Sequence, residues 1–249
     1  MSFFSSMGRI GRSSRQKKES ARPPIPQLPQ SQGNGNAHTQ SGMGFPQQHT
    51  QQQAQRPLYL SRPFVQSALV KGSFATIVVL PKYIEQGEWL ALNLFEFFTH
   101  LNHFYGVVSE GCTPNSCPSM SAGPGLDYTW LDQNRKQMRL PASQYIDYVL
   151  AWINNRVNEE GLFPTKAGQP FSSQFLPTCK AIAKQLFRIF AHIYHAHFDI
   201  ILHLGLEAHW NSFFQHFICF GKEFELLDGR DVEPLAVLIQ TFQQQGNIQ

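Results

Sequence analysis

Residues 171–204 have the sequence FSSQFLPTCKAIAKQLFRIFAHIYHAHFDIILHL, which would place apolar side chains on more than one side of a helix. A surface helix is apolar along one face, whereas a helix that is apolar nearly all round is buried. We therefore predict one long helix from Phe171 to Leu204 at the centre of a helical bundle. Further helices follow it, with breaks predicted near Gly205 and at Leu227–Gly229.

The sequence before this central helix predicts two more amphipathic helices. Residues 85–108 carry apolar side chains at steps of three and four, as in a helix with one buried face, and Gly106 is expected to end it. The predicted buried positions are Trp89, Leu92, Phe95, Phe98, Leu101 and Tyr105. Residues 142–164 have a similar pattern, which ends at Gly161 and Pro164.

Two shorter stretches have patterns of extended structure. Residues 74–81, FATIVVLP, are rich in β-branched side chains and are predicted to be extended. Residues 126–141 alternate around the turn-forming DQNR and predict a small β-hairpin. The predicted fold class is therefore all-α: a helical bundle with a four-helix core and one small hairpin.

The charge distribution divides the chain of 249 residues into two parts. Residues 1–56 contain seven Lys or Arg and one acidic residue, and are otherwise rich in Ser, Gln, Pro and Gly, so we predict a disordered basic tail. Residues 57–249 contain 13 basic and 16 acidic residues, a net charge of −3, and are predicted to form the folded domain. An acidic domain argues against nucleic acid as the partner and favours a basic segment of another protein.

The cysteines and the hydropathy of the chain indicate the compartment in which the protein is expected. Four unevenly spaced cysteines do not make a disulfide framework, and we expect Cys179 and Cys219 to be buried thiols. The chain shows neither a secretory signal nor an apolar run long enough to span a membrane. We expect a cytoplasmic protein, with the basic N-terminal run as a potential nuclear address.

A Cys-x4-Cys loop and a histidine-rich turn together predict a metal site. Cys112 and Cys117 enclose four turn-forming residues, and the central helix carries His192, His195 and His197. Two thiolates and two imidazoles form a closed tetrahedral shell for structural Zn²⁺. The sequence leaves the choice of histidines open, although helix geometry favours His192 with His195, because the 192/197 pair would lie about 140° apart.

A catalytic zinc is the alternative interpretation of this cluster. A hydrolase would need an open coordination position and a nearby general base, as in the HExxH motif. No such motif occurs, and Asp199 is the acidic residue nearest to the histidines in sequence. The pattern therefore favours a structural site.

Two surface features are candidate binding sites. Lys180, Lys184 and Arg188 recur every four residues and would form a basic stripe suited to a phosphate or an acidic segment. Glu88 and Trp89, close to Glu85 at the start of the first helix, would form an acidic and aromatic anchor for a protein partner.

Two stretches of the chain are highly specific motifs: CTPNSCPSMSAGP (residues 112–124) and AHIYHAHF (residues 191–198). On these motifs, the chain from about Leu58 to Phe242 resembles the Mob family of kinase activators. Three longer stretches match as well: EWLALNLFEFFTHLNHFYG, YIDYVLAWINNRVNEEGLFPTKAGQPF and HFICFGKEFELLD. The long low-complexity tail is similar to that of the fungal branch, whose members partner NDR-class kinases.

The resemblance implies a non-catalytic co-activator that binds the N-terminal regulatory segment of an NDR/LATS-class kinase, in polarity or morphogenesis signalling. It implies Zn²⁺ held by Cys112, Cys117, His192 and His197, which sets His195 aside. It also implies a kinase-binding surface, with residues Glu88, Trp89 and His216.

One position departs from the family pattern. Some Mob proteins bind phosphothreonine through a Lys-Arg-x-x-Arg cluster, and here Gln185 stands between Lys184 and Arg188 where the second basic residue would be. Loss of one charge-assisted donor weakens the case for phosphopeptide binding but not for kinase binding. The competing functions are a zinc-dependent hydrolase and a nucleic-acid binder that acts through the basic tail.

Overall fold

The structure, a computed structural model, describes residues 56–132, 134–166 and 168–248. The predicted disordered tail, apart from Arg56, lies outside these residues. The described chain is mostly helical, and none of its helices combines the length and apolar character that a membrane crossing requires. The helices are α1 (Ala75–Val78), α2 (Gln86–Val108), α3 (Ala142–Val157), α4 (Phe175–Ala196), α5 (Phe198–His203), α6 (Glu207–Glu223), α7 (Gly229–Val232) and α8 (Ala236–Gln244).

Helix α4 lies at the centre, as the sequence predicts. It packs against α2 and α3, while Phe190 contacts the rings of Trp210, Phe214 and Phe217 on α6. Every side chain from Leu186 to Tyr194 is buried except that of Arg188. Such burial explains why this stretch is apolar on more than one side.

The predicted single helix from Phe171 to Leu204 is wrong at both ends. Helix α4 begins at Phe175 and ends at Ala196, and α5 starts only after a break at His197, where φ is −136° and ψ is 14°. The break turns the His197 side chain into the interior, where its ring lies 5.0 Å from that of His192. An unbroken helix would hold these two side chains about 140° apart.

The prediction of extended structure at residues 74–81 is also wrong, because tertiary contacts override the β-propensity of the stretch. Ala75–Val78 form one helical turn instead. The Phe74 ring before it stacks on His216 of α6 at 5.4 Å, and the indole N–H of Trp89 donates to the carbonyl of Val78 at 3.1 Å. The turn is thus held from both sides by aromatic residues of other helices.

Helix α2 confirms the predicted burial of Phe98, Leu101 and Tyr105, but it differs from its prediction in the phase of its first half and in length. Leu92 is 49% exposed, whereas Leu90, Leu94 and Phe97 are buried. Because α2 packs against both α3 and α4, its buried stripe is wide, and a mostly apolar helix allows more than one phase. Gly106 does not end α2, which continues to Val108.

Helix α3 ends at Val157, before the predicted stop signals at Gly161 and Pro164. The predicted hairpin is confirmed: β3 (Trp130–Leu131) pairs antiparallel with β4 (Gln137–Met138). A second antiparallel pair, β1 (Met120–Ser121) with β2 (Asp127–Tyr128), follows the cysteine loop and has no counterpart in the sequence prediction. The predicted break near Gly205 is confirmed, with φ at +65°, and the predicted break at Leu227–Gly229 falls between α6 and α7.

The buried side chain of Asn211 joins the N-terminal segment to the bundle. Its amide donates to the carbonyls of Phe64 and Ser67 at 2.9 and 2.8 Å, and its oxygen accepts from the Tyr194 hydroxyl at 3.0 Å. Buried polar groups that lose their partners cost free energy. One asparagine therefore makes three hydrogen bonds that join the N-terminal segment to α4 and α6.

We expect Asn211→Ala to lower the free energy of unfolding by about 3 kcal/mol, because two carbonyls and a hydroxyl each lose a hydrogen bond. Chemical denaturation monitored by circular dichroism would measure the loss. Asn155→Ala, on the exposed side of α3, is the matched control and should change stability by less than about 0.5 kcal/mol. Equal stability of the Asn211 variant and the control would contradict the role assigned to this residue.

Candidate metal centre and partner surface

Two cysteines and two histidines meet in the interior at one end of α4. One ligand atom from each of Cys112, Cys117, His192 and His197 lies within 4.8 Å of the others, and all four residues are buried. The Cys112 Sγ is 3.5 Å from His192 Nε2, and the Cys117 Sγ is 3.4 Å from His197 Nε2. The group could therefore bind a metal ion, with one donor atom from each residue.

Short-range hydrogen bonds hold the cysteine loop in shape. The Cys117 N–H donates to the Thr113 carbonyl at 2.8 Å, and the Ser116 hydroxyl donates to the Gly111 carbonyl at 2.6 Å. The Cys117 carbonyl accepts from the N–H of Ala142 at the start of α3 at 3.0 Å. The loop is thus held by hydrogen bonds of its own, and it is also anchored to the start of α3.

The hydrogen bonds of His192 orient its ring toward the cluster. Its Nδ1–H donates to the backbone carbonyl of Ser121 at 2.8 Å, which leaves Nε2 with a lone pair directed at the Cys112 sulfur. Metal-bound histidines commonly make such an outer hydrogen bond, because it fixes the tautomer and the ring orientation. Burial lowers the pKa of His192 to about 4, so the imidazole is neutral, as a ligand must be.

The Cys112 thiol is difficult to ionise in this environment. Burial, followed by the neighbouring Cys117, raises the pKa of the Cys112 thiol to about 12. A divalent cation at the cluster would reverse this preference, because it stabilises the thiolate form directly. The donor set and its burial thus fit a closed, structural type of metal site.

His195 lies outside the cluster, so the helix-face preference for His192 with His195 is wrong. Its ring is 3.3 Å from the Tyr59 hydroxyl and 3.1 Å from the Pro234 carbonyl. It also lies under Gly123, where an added Cβ would approach the ring to 2.7 Å. His195 therefore braces three segments of the chain against one another.

The predicted basic stripe of Lys180, Lys184 and Arg188 lies beside acidic side chains, a proximity that the sequence did not predict. Lys184 and Arg188 line a cavity of about 390 Å³, whereas exposed Lys180 does not line it. Lys184 forms an ion pair with Asp231, and the Arg188 guanidinium donates to Tyr145 at 2.6 Å. The ionised side chains that line the cavity are Lys184, Arg188, Arg230, Asp228, Asp231 and Glu233, three of each sign.

A local motif places these acids. Asp228 and Asp231 form a capping box at the start of α7, in which each side chain accepts from the other residue's backbone N–H. The spacing of Asp228 and Asp231 in the sequence could have indicated this box. The contact between Asp231 and Lys184 joins residues from distant parts of the chain, which no local pattern reports.

The resemblance implies three kinase-binding residues, and their surroundings differ: these are Glu88, Trp89 and His216. Glu88 is exposed, and within the described chain no cation pairs with it or with Glu85. The Trp89 ring is half-buried and its N–H is used by Val78. His216 is half-buried, and burial lowers its pKa to about 4, so it is neutral near pH 7. Trp89 and His216 both contact the segment from Phe74 to Val78, Trp89 through the Val78 carbonyl and His216 through the Phe74 ring.

We expect Gly123→Ala to lower the free energy of unfolding by about 2–3 kcal/mol, since φ is +107° and the new methyl group would meet the His195 ring. Gly125→Ala separates the two effects: φ is +77° there, but nothing lies within 4 Å of the added Cβ. The free energy of unfolding of this control should fall by only about 1 kcal/mol. Denaturant titration would measure both variants, and a larger loss for the control would contradict the contact with His195.

Comparison with known proteins places the chain in a family. A model of the Mob1/phocein family matches residues 66–235. The chain is 61% identical over 196 residues to the CBK1 kinase activator protein MOB2 of Saccharomyces cerevisiae, covering 79% of this chain and 68% of the relative. It is 62% identical over 191 residues to the maintenance of ploidy protein mob2 of Schizosaccharomyces pombe, covering 77% of this chain and 78% of the relative.

The CBK1 kinase activator protein MOB2 of Candida albicans is 57% identical over 195 residues, which cover 78% of this chain and 62% of the relative. The chain and these fungal relatives thus share most of the part that the structure describes. The chain belongs to the Mob1/phocein family.

Proposed function

We propose that the chain is a non-catalytic activator of an NDR-class protein kinase and that it binds the N-terminal regulatory segment of that kinase. The observation that carries this proposal is the 61% identity, over 79% of the chain, to a protein named as an activator of CBK1 kinase. Polarity or morphogenesis signalling is the setting that the family resemblance suggests.

The charges of the described domain support a basic partner. Glu85 and Glu88 are exposed at the start of α2 and have no cationic partner among the described residues. A basic segment would be steered to these carboxylates and then anchored on apolar groups beside them. Binding that orders the segment would shift the kinase toward its active arrangement.

The geometry of the Cys and His cluster disfavours the hydrolase alternative. Four protein donors would fill a tetrahedral shell and leave no position for a water molecule or a substrate. All four donors are buried, so a substrate would have no access to them.

We further propose that the metal is Zn²⁺ and that its role is structural. Two thiolates and two imidazoles are the donor set of closed zinc sites. A bound ion would tie the loop after α2 to the end of α4, and would thereby hold the break at His197. Its binding free energy would add to the stability of the domain.

We do not extend the proposal to phosphopeptides. The cavity beside Lys184 and Arg188 is lined by as many carboxylates as cations, and the carboxylates would repel a phosphate. The side-chain oxygen of Gln185 accepts from the Tyr145 hydroxyl at 2.9 Å, which gives this residue a role in packing α4 against α3.

Removal of a ligand should remove metal and stability together. We expect Cys117→Ser and His197→Ala to lose bound zinc and to lower the melting temperature by about 10 °C, because metal binding contributes several kcal/mol to folding. His195→Gln is the control and should keep one zinc per chain. Mass spectrometry of bound metal and calorimetric melting would measure both properties, and full zinc in His197→Ala would refute that ligand.

The kinase proposal is tested by calorimetry of the full chain with the N-terminal regulatory segment of yeast CBK1 kinase. Glu88→Lys should weaken binding at least about tenfold, because it places a lysine against a basic segment. High salt should weaken the binding of the unaltered chain.

Glu110→Lys is the matched control. It makes the same change of charge at an exposed position just beyond the other end of α2, about 30 Å away, and should leave binding unchanged. Trp89→Ala is a poorer probe, because it also removes the hydrogen bond to Val78. Equal affinities for the two charge variants would contradict the proposed surface.

A further inference from the structure

Exposed apolar side chains are concentrated around the start of α2. Of the fifteen large apolar side chains that are exposed in the described residues, seven lie between Leu69 and Leu92. Scattered single apolar residues are normal on a protein surface, whereas a cluster indicates an interaction site. Four of the seven belong to the α1–α2 junction, and we name them the apolar tip: Ile77, Val79, Tyr83 and Ile84.

Tyr83 is the most unusual member of the apolar tip. Its side chain is 91% exposed, more than any other large apolar side chain of the described residues. Its backbone has φ at 73°, in the left-handed region that bulky residues rarely adopt. Strained backbone of this kind persists only where the surrounding structure holds it in place, and it is often found at functional sites. Here the strain presents an aromatic ring to solvent.

The backbone around Tyr83 is held firmly at both ends. The Ile84 N–H donates to the Pro81 carbonyl at 3.2 Å, and the indole of Trp89 is bonded to the Val78 carbonyl at 3.1 Å. The apolar tip is therefore preorganised on the bundle, so that a partner would not have to order it. Preorganisation of this kind lowers the free-energy cost of binding.

Three charged side chains lie beside the apolar tip: Lys82, whose ammonium is 5.1 Å from the centroid of the Tyr83 ring, and the carboxylates of Glu85 and Glu88. Glu85 lies two residues after Tyr83, at most about 7 Å along the chain, and Glu88 follows in the first turn of α2. Both acids are exposed and neither has a cationic partner in the described chain. A segment that fits both features has basic side chains on one side and apolar side chains on the other.

We infer that the apolar tip, with Tyr83 as its anchor, binds the apolar side of the same basic kinase segment whose charges are recognised by Glu85 and Glu88, and that Tyr83 contributes to the selection of that segment. This inference rests on the proposed function. The carboxylates would select for positive charge alone, which many segments carry. The tyrosine adds a requirement for a complementary apolar surface, and exposed aromatic rings are frequent anchors of protein interfaces.

Three variants separate the ring from the strained backbone. Tyr83→Gly removes both, because glycine adopts positive φ without steric cost, whereas Tyr83→Ala removes the ring and keeps the strain. Arg135→Gly is the matched control, because Arg135 has φ at 59° in the turn between β3 and β4, away from the apolar tip in sequence. Calorimetry with the CBK1 N-terminal segment and thermal melting would be measured on the full chain for each.

We expect both Tyr83 variants to weaken binding about tenfold and Arg135→Gly to leave affinity unchanged. Tyr83→Gly and Arg135→Gly should each raise the melting temperature by about 2 °C, since both relieve strain. A variant that is more stable and yet binds less well would show that Tyr83 is kept for recognition and not for folding.

The other outcomes distinguish the two proposals. If Glu88→Lys weakens binding but both Tyr83 variants bind normally, the inference is wrong while the proposed function stands. If the unaltered chain does not bind the segment at all, both fail. Sedimentation of the same variants tests a second copy of the chain as the occupant: a dimer that Tyr83→Ala dissociates, with kinase binding unchanged, would overturn the inference.

Discussion

The interruption of the helix at His197, between α4 and α5, is the constraint on which the rest of the structure depends. It ends α4, brings one imidazole close to His192, and separates α4 from α5. The cysteine loop after α2 then closes on the two imidazoles, so that four donors from two distant parts of the chain become neighbours. Without the break, α4 would still be a central helix, but the loop would meet only one of its two histidines.

Around this centre, backbone carbonyls and small residues set the fine geometry. The carbonyl of Ser121, from the short strand β1, fixes the tautomer of His192. Gly123, two residues later, allows the chain to pass over the ring of His195, which itself braces Tyr59 and Pro234. The Cys and His cluster and the contacts of His195 therefore both come from one histidine-rich turn, but they have different roles. One holds donors for an ion, and the other holds segments of protein together.

The surface at the start of α2 is organised by a different principle. Its interior side is satisfied: the Trp89 indole is bonded to α1, and the Phe74 ring stacks on His216. Its exterior side has exposed apolar side chains, including a strained tyrosine, and the carboxylates of Glu85 and Glu88, which form no ion pair with the described residues. By contrast, the cations of the Lys184 and Arg188 cavity are matched by carboxylates from the α7 capping box. One charged region is thus neutralised within the described domain, and the proposed partner surface at the start of α2 is not.

Local patterns in the sequence predicted the helical class, the central position of α4, the β3–β4 hairpin and the types of metal donor. They did so because helix periodicity, turn residues and donor chemistry depend on neighbours along the chain. The choice between His195 and His197, the helical state of residues 75–78 and the pairing of Lys184 with Asp231 were decided only by the tertiary structure. Each depends on contacts between distant residues, such as the bond from His192 to Ser121 across 71 positions. Spacing along a helix cannot report such contacts, because it assumes that the helix continues, and here the chain leaves the helix at His197.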